Sequence, residues 1–347
     1  MENNLNQSQL LIKEVNQIAK QSKIVAGIFI FILILVVLQA LGINTDFLKK
    51  ESQVSKTETK AASNSLNHIE EFKISPFPEN EEGKMAAYGE KLIKETYKFL
   101  GPNNKIGEVY SGNNLACASC HLNAGTKAYA APYVGLSAIF PVFSGREGKV
   151  ATLEERINGC FERSMNGKKL PVESKEMVAI ISYIKHLSKD VKVGERIEGQ
   201  GFVKLEAPSR KADLHNGETV FKTQCVSCHQ ADGLGLAKKP GNLEEGYLYP
   251  PLWGNDSFND GAGMGRMLTA AKFIKGNMPL GATADAPILT DEEAYDVSAY
   301  INSFERPTKA NKENDYPDLS KKPKDSPYPP FADNKSQEQH KYGPFNF

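Results

Sequence analysis

Two runs decide how this chain is read: Cys117-Ala118-Ser119-Cys120-His121 and, further along, Cys225-Val226-Ser227-Cys228-His229. In a C-x-x-C-H run the two thiols are spaced to bond covalently to the vinyl groups of a haem, and the following histidine reaches the iron from one side. A zinc site or a redox dithiol is the alternative, but a zinc site wants further cysteine or histidine ligands at short spacing, and neither copy has them nearby. One copy can arise by chance. Two in one chain specify two covalently bound haem c groups, held by Cys117, Cys120 and His121 and by Cys225, Cys228 and His229.

Around these runs the chain has 347 residues, room for two ordinary domains plus appendages. Lys+Arg and Asp+Glu each number 42, so a nucleic-acid partner gets no support from charge. Of five cysteines, four belong to the haem signatures and Cys160 is left over, which excludes a disulfide framework. Residues 24–38 are unbroken apolar, and Ala40-Leu41-Gly42-Ile43 extend the run to a length that spans a bilayer as a helix. Ala40 and Gly42 also sit at signal-peptide cleavage spacing, but the length of the run and of the polar segment before it favour an uncleaved anchor. Lysines flank both sides, so the charge rule orients the segment weakly. Haem c is attached outside the bacterial cytoplasm. The expected location is therefore the periplasmic side of the inner membrane, or the soluble periplasm if the segment is cleaved.

The division that follows is a cytoplasmic N-terminus (1–23), a transmembrane anchor (24–43), a polar periplasmic tether (44–80), a first haem unit (81–189), an interdomain strap (190–212), a second haem unit (213–306) and a Pro-rich tail (307–347). Each unit opens with a helix carrying a glycine beside an apolar pair, Gly89 with Leu92 and Ile93, and Gly217 with Val220 and Phe221. Each closes with a helix carrying an aromatic, 177–187 with Tyr183 and 292–304 with Tyr300, behind the candidate N-caps Ser174 and Thr290. A glycine lets a second helix cross closely and the tyrosine fills the crossing, as in small c-type cytochromes, which both units resemble. Pro132-x-x-Gly135 and Pro251-x-x-Gly254 recur after the two histidines, where a prolyl carbonyl can hold the imidazole or simply form a turn. The expected fold is all-α: two tandem class I-type cytochrome c domains with an N-terminal transmembrane helix. A tail so rich in proline is not expected to be helical; it wraps the surface or stays mobile.

The halves differ in their second iron ligand. In the second, Met278-Pro279 lies between His229 and the closing helix, and a thioether there completes a His/Met haem suited to electron transfer. Met264 and Met267 compete but fall on an apolar helical stripe and read as core. In the first, Met165 and Cys160 are both candidates. The Thr152/Glu155 capping box predicts a helix from Leu153 to about Met165, with Leu153, Ile157, Cys160 and Ser164 on one face. Matching Ile157-x-Gly159 to Ile274-x-Gly276 brings Cys160 within a residue of Met278. Arg156 and Ser164 sit at i−4 and i+4 from Cys160, Arg163 at i+3, and Arg146 comes from the preceding loop. Pairing with Glu154, Glu155 and Glu162 on a solvated face is the alternative, and it suits Arg163 best. Arginine beside cysteine lowers the thiol pKa and attracts anions.

The run Gly145-Arg146-Glu147-Gly148, followed by residues 153–167, resembles the dihaem thiosulfate dehydrogenases, and the resemblance extends from about Glu82 to the C-terminus. It implies His/Cys ligation of an active first haem by His121 and Cys160, and a substrate pocket lined by Arg146, Arg156 and Ser164. It also implies a relay through the second haem. Some members bind that haem with lysine; here Asn277 precedes Met278, so the ligands are His229 and Met278. The implied activity interconverts thiosulfate and tetrathionate, passing electrons to a soluble c-type cytochrome or another periplasmic acceptor. The rivals are a non-catalytic, membrane-anchored dihaem electron carrier of a respiratory complex, in which the Arg146/Arg156/Cys160 grouping has no purpose, and a haem peroxidase. The reading predicts two haems per chain in a pyridine haemochrome assay. Cys→Ser changes in either C-x-x-C-H run should remove one of them, and a count of one in the unaltered protein would refute the architecture.

Overall fold

The computed structural model describes residues 70–105 and 107–347; the apolar run at 24–43 and the tether up to residue 69 lie outside them. Among the described residues no helix is long and apolar enough to cross a membrane. The last residues of the tether pack on the body. Phe72, Ile74 and Phe77 lie against the first core, and the Phe72 amide donates to Thr126 O at 3.0 Å.

The first unit opens with α1 (Glu81–Lys94), whose cap Asn80 accepts the Gly83 amide, with Glu81 and Glu82 in the first turn and Lys91 and Lys94 in the last. The helix breaks at Glu95 and resumes as a single turn, Thr96–Phe99. The break frees Thr96. Its hydroxyl donates to Leu92 O at 2.8 Å and accepts the Cys117 amide at 3.0 Å, so the end of the first helix holds the first haem signature. A hairpin of β1 (Val142–Ser144) and β2 (Lys149–Ala151), paired Val142↔Ala151, presents Arg146 in its turn. The predicted capping box starts α2 (Leu153–Arg163), and Ser174 caps α3 (Lys175–Ser188), which returns across α1.

The second unit repeats the plan. Its opening helix α4 (Leu214–Val220) widens into a π turn over Phe221–Cys225 and ends in one helical turn, Val226–His229. A second hairpin, β3 (Leu236–Lys239) with β4 (Asn242–Tyr249), precedes α5 (Met267–Asn277) and the closing helix α6 (Asp291–Ser303), which begins with the Thr290/Glu293 capping box. The fold is thus mostly helical rather than all-α. Both hairpins are too short for a periodic signature, and they were not expected.

The duplicated crossing is as the sequence predicts. A Cβ on Gly89 would stand 2.0 Å from Ala179 O and 2.8 Å from Tyr183 Cβ; one on Gly217 would stand 2.3 Å from Asp296 O and 2.8 Å from Tyr300 Cβ. The opening and closing helices therefore touch backbone to backbone. Between the units, Asp256 accepts the Asn114 amide at 3.0 Å, its side-chain nitrogen at 3.1 Å and the Tyr247 hydroxyl at 2.7 Å. Asn113 donates to Ser164 O and Ser257 O at 3.0 and 3.1 Å, bridging the end of α2 to the second unit.

The tail corrects one expectation. It wraps the body, but it contains a helix, α7 (Gln337–Tyr342), as well as two short 3-10 turns. No proline falls between Pro330 and Pro344, and Ser336 supplies the cap by accepting the Gln339 amide at 3.1 Å. Because the crossing leaves no space for a methyl group, Gly89→Ala and Gly217→Ala should each destabilise the protein by about 1–3 kcal/mol, the usual cost of overpacking. Circular dichroism on denaturant titration would measure this, and an unchanged midpoint in both variants would contradict it.

Candidate active site

The first signature ends at His121, whose Nδ1 lies 2.6 Å from Ala131 O and whose ring stacks on Tyr133 at 4.5 Å between centroids. In the second, His229 Nδ1 lies 2.8 Å from Pro250 O. In both copies the carbonyl belongs to the residue before the motif proline, not to Pro132 or Pro251 themselves. With Nδ1 tied to a carbonyl, the imidazole is fixed in the tautomer that leaves Nε2 bare for a metal. The Ala131 carbonyl is itself held by the strap. Tyr129 and Ala131 both have positive φ, and their amides donate to Gly199 O at 2.7 Å and Gly201 O at 2.8 Å.

Facing His121 across the first cavity is Cys160, on α2, with Arg156 one turn earlier. The i−4 spacing brings Arg156 Nη1 to 2.9 Å from Cys160 Sγ. Burial pushes the thiol up, but the Arg156 guanidinium and the nearby His121 ring outweigh it and bring Cys160 down to about 6. The signature thiols go the other way: burial raises Cys117 and Cys225 to about 11 and Cys120 to about 12. Cys160 is thus poised as a thiolate.

Ser164 and Met165 line a smaller recess beside Cys160, together with Phe258 and Met264 from the second unit. Cys160 lines both cavities, with Arg156 beside it in the first and Ser164 in the second. Arg146 lines neither cavity: its Nη1 donates to Gly261 O at 2.8 Å, and its charge reaches Arg156, whose pKa Cys160 raises and Arg146 partly lowers. Two expectations are corrected. Arg163 is not on a solvated face; its Nη2 donates to the buried Asp315 at 2.7 Å. Met264 is not on a helical stripe but in a 3-10 turn, facing the recess, whereas Met267 is buried core as expected. The matched glycines differ in their surroundings: a Cβ on Gly159 would meet nothing within 4 Å, whereas one on Gly276 would stand 2.8 Å from Val203. Sequence reasoning missed Asp315, Arg196 and Gln200. The last two come from the strap into the first cavity, and Gln200 Nε2 donates to Val134 O at 3.1 Å.

At the second site, Met278 follows α5 directly and packs with Cys225 against Val220, Phe221 and Trp253. His229 is buried, and that burial lowers its pKa. Asn277 ties the second unit to the loop beneath His121: its amide nitrogen donates to Phe273 O at 3.0 Å and to Tyr129 O at 3.2 Å.

Each signature has its two thiols and a histidine with Nδ1 occupied and Nε2 available, so the donor sets fit haem. The fold and these sites define a dihaem c-type cytochrome with unlike halves. Residues 108–193 match the SoxA/TsdA cytochrome c domain, and residues 214–305 match cytochrome c. The thiosulfate dehydrogenase of Psychrobacter arcticus is 44% identical over 243 residues, 70% of this chain and 70% of its own. That of Allochromatium vinosum is 44% identical over 225 residues, 64% of this chain and 80% of its own. The solved structure of the thiosulfate dehydrogenase TsdBA from Marichromatium purpuratum superposes with a TM-score of 0.63 at 34% identity, covering 74% of this chain and 53%, about half, of that one. The chain belongs to the thiosulfate dehydrogenase family, and its cofactors are two covalently bound haem c groups.

Proposed function

We propose that this protein oxidises two thiosulfates to tetrathionate at the first haem unit (81–189) and passes the two electrons through the second (213–306) to a soluble c-type cytochrome or another periplasmic acceptor. The observation that carries this reading is the Arg156–Cys160 contact at 2.9 Å, inside a cavity that also contains His121. A non-catalytic electron carrier needs no arginine held against a thiol in the cavity of its histidine. The N-terminal apolar run would hold the enzyme to the periplasmic face of the inner membrane. The haems, when bound, supply two one-electron acceptors, with His121 and Cys160 as ligands of the first and His229 and Met278 as ligands of the second.

The chain's own residues account for the rest. Thiosulfate is a dianion, and two must be brought together. Arg156 and Arg146 offset that repulsion, and Ser164 offers a hydroxyl beside the sulfur. The Cys160 sulfur forms a bond to the outer sulfur of one thiosulfate, giving Cys–S–S–SO3⁻ as two electrons leave. The outer sulfur of a second thiosulfate attacks the thiosulfate-derived sulfur, releasing tetrathionate and returning the Cys160 thiolate. Both steps balance, and Arg156 stabilises the thiolate at the start and at the end. The same groups serve the reverse reaction.

Cys160→Ala should lose turnover with both haems still attached, and brief thiosulfate treatment of the unaltered protein should leave added sulfur on the Cys160 peptide by mass spectrometry. Full activity in Cys160→Ala would sink the assignment and favour the electron-carrier reading. Arg156→Ala should lower kcat/KM by about tenfold or more, since a charged hydrogen bond contributes about 1.5–3 kcal/mol. Met278→Gly should shift the second haem's potential and slow electron exit while thiosulfate binding survives. Loss of binding in that variant would mean the division of labour between the haems is wrong.

A further inference from the structure

The tail after residue 306 leaves the second unit and crosses to the first, over the turn that carries Arg146. That turn is flanked by two glycines, and both face the tail. A Cβ on Gly148, whose φ is +66°, would stand 2.5 Å from Pro317, and one on Gly145 would stand 3.1 Å from Lys321. The Tyr316 amide donates to Arg146 O at 2.8 Å, and its ring centroid lies 5.6 Å from the Arg146 guanidinium carbon. The Gly-Arg-Glu-Gly run is therefore shaped to receive this segment of the chain.

Beside Tyr316, the side chain of Asp315 is 9% exposed and lies between two arginines whose side chains are 18% (Arg146) and 14% (Arg163) exposed. Arg163 Nη2 donates to Oδ1 at 2.7 Å and the Tyr328 hydroxyl donates to Oδ2 at 2.6 Å. Arg146 Nη1 stands 4.0 Å from Oδ2, in charge contact but too far for a hydrogen bond, and donates instead to Gly261 O at 2.8 Å. Arg163 Nη1 leans on the same carbonyl at 3.4 Å.

We infer that Asp315 is a positioning residue of the active site, holding Arg146 in place through charge while Arg163 and Tyr328 occupy its oxygens. This rests on the reading of Arg146 as a substrate-binding group. One carboxylate against two guanidiniums leaves a surplus positive charge, to which Arg156 adds. That surplus suits a dianion. Without Asp315, two half-buried arginines sharing the Gly261 carbonyl would repel each other, and Arg146 would move off it. Tyr328 lends a neutral donor, fixing the carboxylate without cancelling it. The tail, outside both cytochrome domains, thus supplies a working part of the first one.

A double-mutant cycle on the full-length, haem-loaded protein tests this. Asp315→Asn should lower kcat/KM for thiosulfate by about tenfold. The upward shift in unfolding temperature that thiosulfate gives, measured without an electron acceptor, should shrink in the same variant. In an Arg146→Ala background the added Asp315→Asn change should cost less than about twofold, because its target is gone. An equal fractional loss in both backgrounds, or a single-variant loss below twofold, would overturn the inference. If Asp315→Asn does not accumulate as folded holoprotein, Tyr328→Phe takes its place, with a smaller loss expected in the same direction and the same criterion of non-additivity. If unaltered protein does not oxidise thiosulfate, or Arg146→Ala matches it, the proposed function has failed instead; normal behaviour of both with an additive cycle overturns this inference alone.

Discussion

Backbone contact between the first and last helix of each unit is the constraint on which the rest depends. Ala179 O and Asp296 O occupy the space where a side chain on Gly89 or Gly217 would be, and Tyr183 and Tyr300 pack over the same points. Fixing this crossing fixes where the opening helix ends, and that end carries the haem signature. In the first unit the link is explicit, because Thr96, one residue past the helix break, accepts the Cys117 amide. In the second, α4 runs through a π turn directly into Cys225. The crossing thus sets the position of the thiols and histidine.

Around this frame the strap and tail act through buried carboxylates. Asp296, with no exposed surface, accepts two hydrogen bonds from Arg210 at 2.8 and 2.9 Å, one from the Asp213 amide at 2.9 Å and one from Asn216 at 2.8 Å. Asp325, on the tail, takes Arg266 through Nε and Nη2 at 2.9 and 2.7 Å, and the Leu268 amide at 3.1 Å. Taking a carboxylate out of water is costly unless nearly every lone pair is used, and at both sites it is. Such sites contribute little net stability compared with an apolar core. What they impose is register: a strap or tail shifted by one residue would leave a buried charge unpaired. His340 does similar work near the C-terminus, with Nδ1 2.7 Å from Lys324 O, Nε2 3.0 Å from Asp333 and its ring stacked on Phe331 at 3.8 Å.

The sequence was most legible where one residue type has one physical use. The C-x-x-C-H runs, the crossing glycines, the capping boxes and the Arg156/Cys160 spacing each follow from local geometry, and the structure has them where they were read. It was least legible where partners are far apart in the chain. Arg163 and Asp315 are separated by 152 positions, and nothing local to either names the other. The only hint lay in Gly145 and Gly148 around Arg146, which announce a close approach without saying by what. The α7 helix was hidden by the composition of the tail around it, since proline count over a long stretch says nothing about a short proline-free window. Met264 was misread because Gly263 and Gly265 beside it end the helical periodicity, and the stripe it was assigned to begins only at Met267.

On the proposed reading, the unlike chemistry of the two units comes down to what the helices leading to Cys160 and Met278 carry. In α2 the residue one turn before Cys160 is Arg156, and the whole of Leu-Glu-Glu-Arg-Ile-Asn-Gly-Cys-Phe-Glu-Arg is dense in charge. In α5 the residue one turn before Met278 is Ile274, on a helix whose buried face is Met267, Ala270, Ala271, Phe273 and Ile274. A thioether has no charge to stabilise and asks only for apolar packing, which the second unit provides with Val220, Phe221 and Trp253. A thiolate in the same surroundings would be driven to its protonated form by burial unless a cation is fixed against it. Arg156 is that cation, and a guanidinium has donors to spare after meeting one sulfur. The arrangement that keeps Cys160 ionised is therefore also one that can bind an anion beside it, and on the proposed reading the second unit lacks both properties for a single reason.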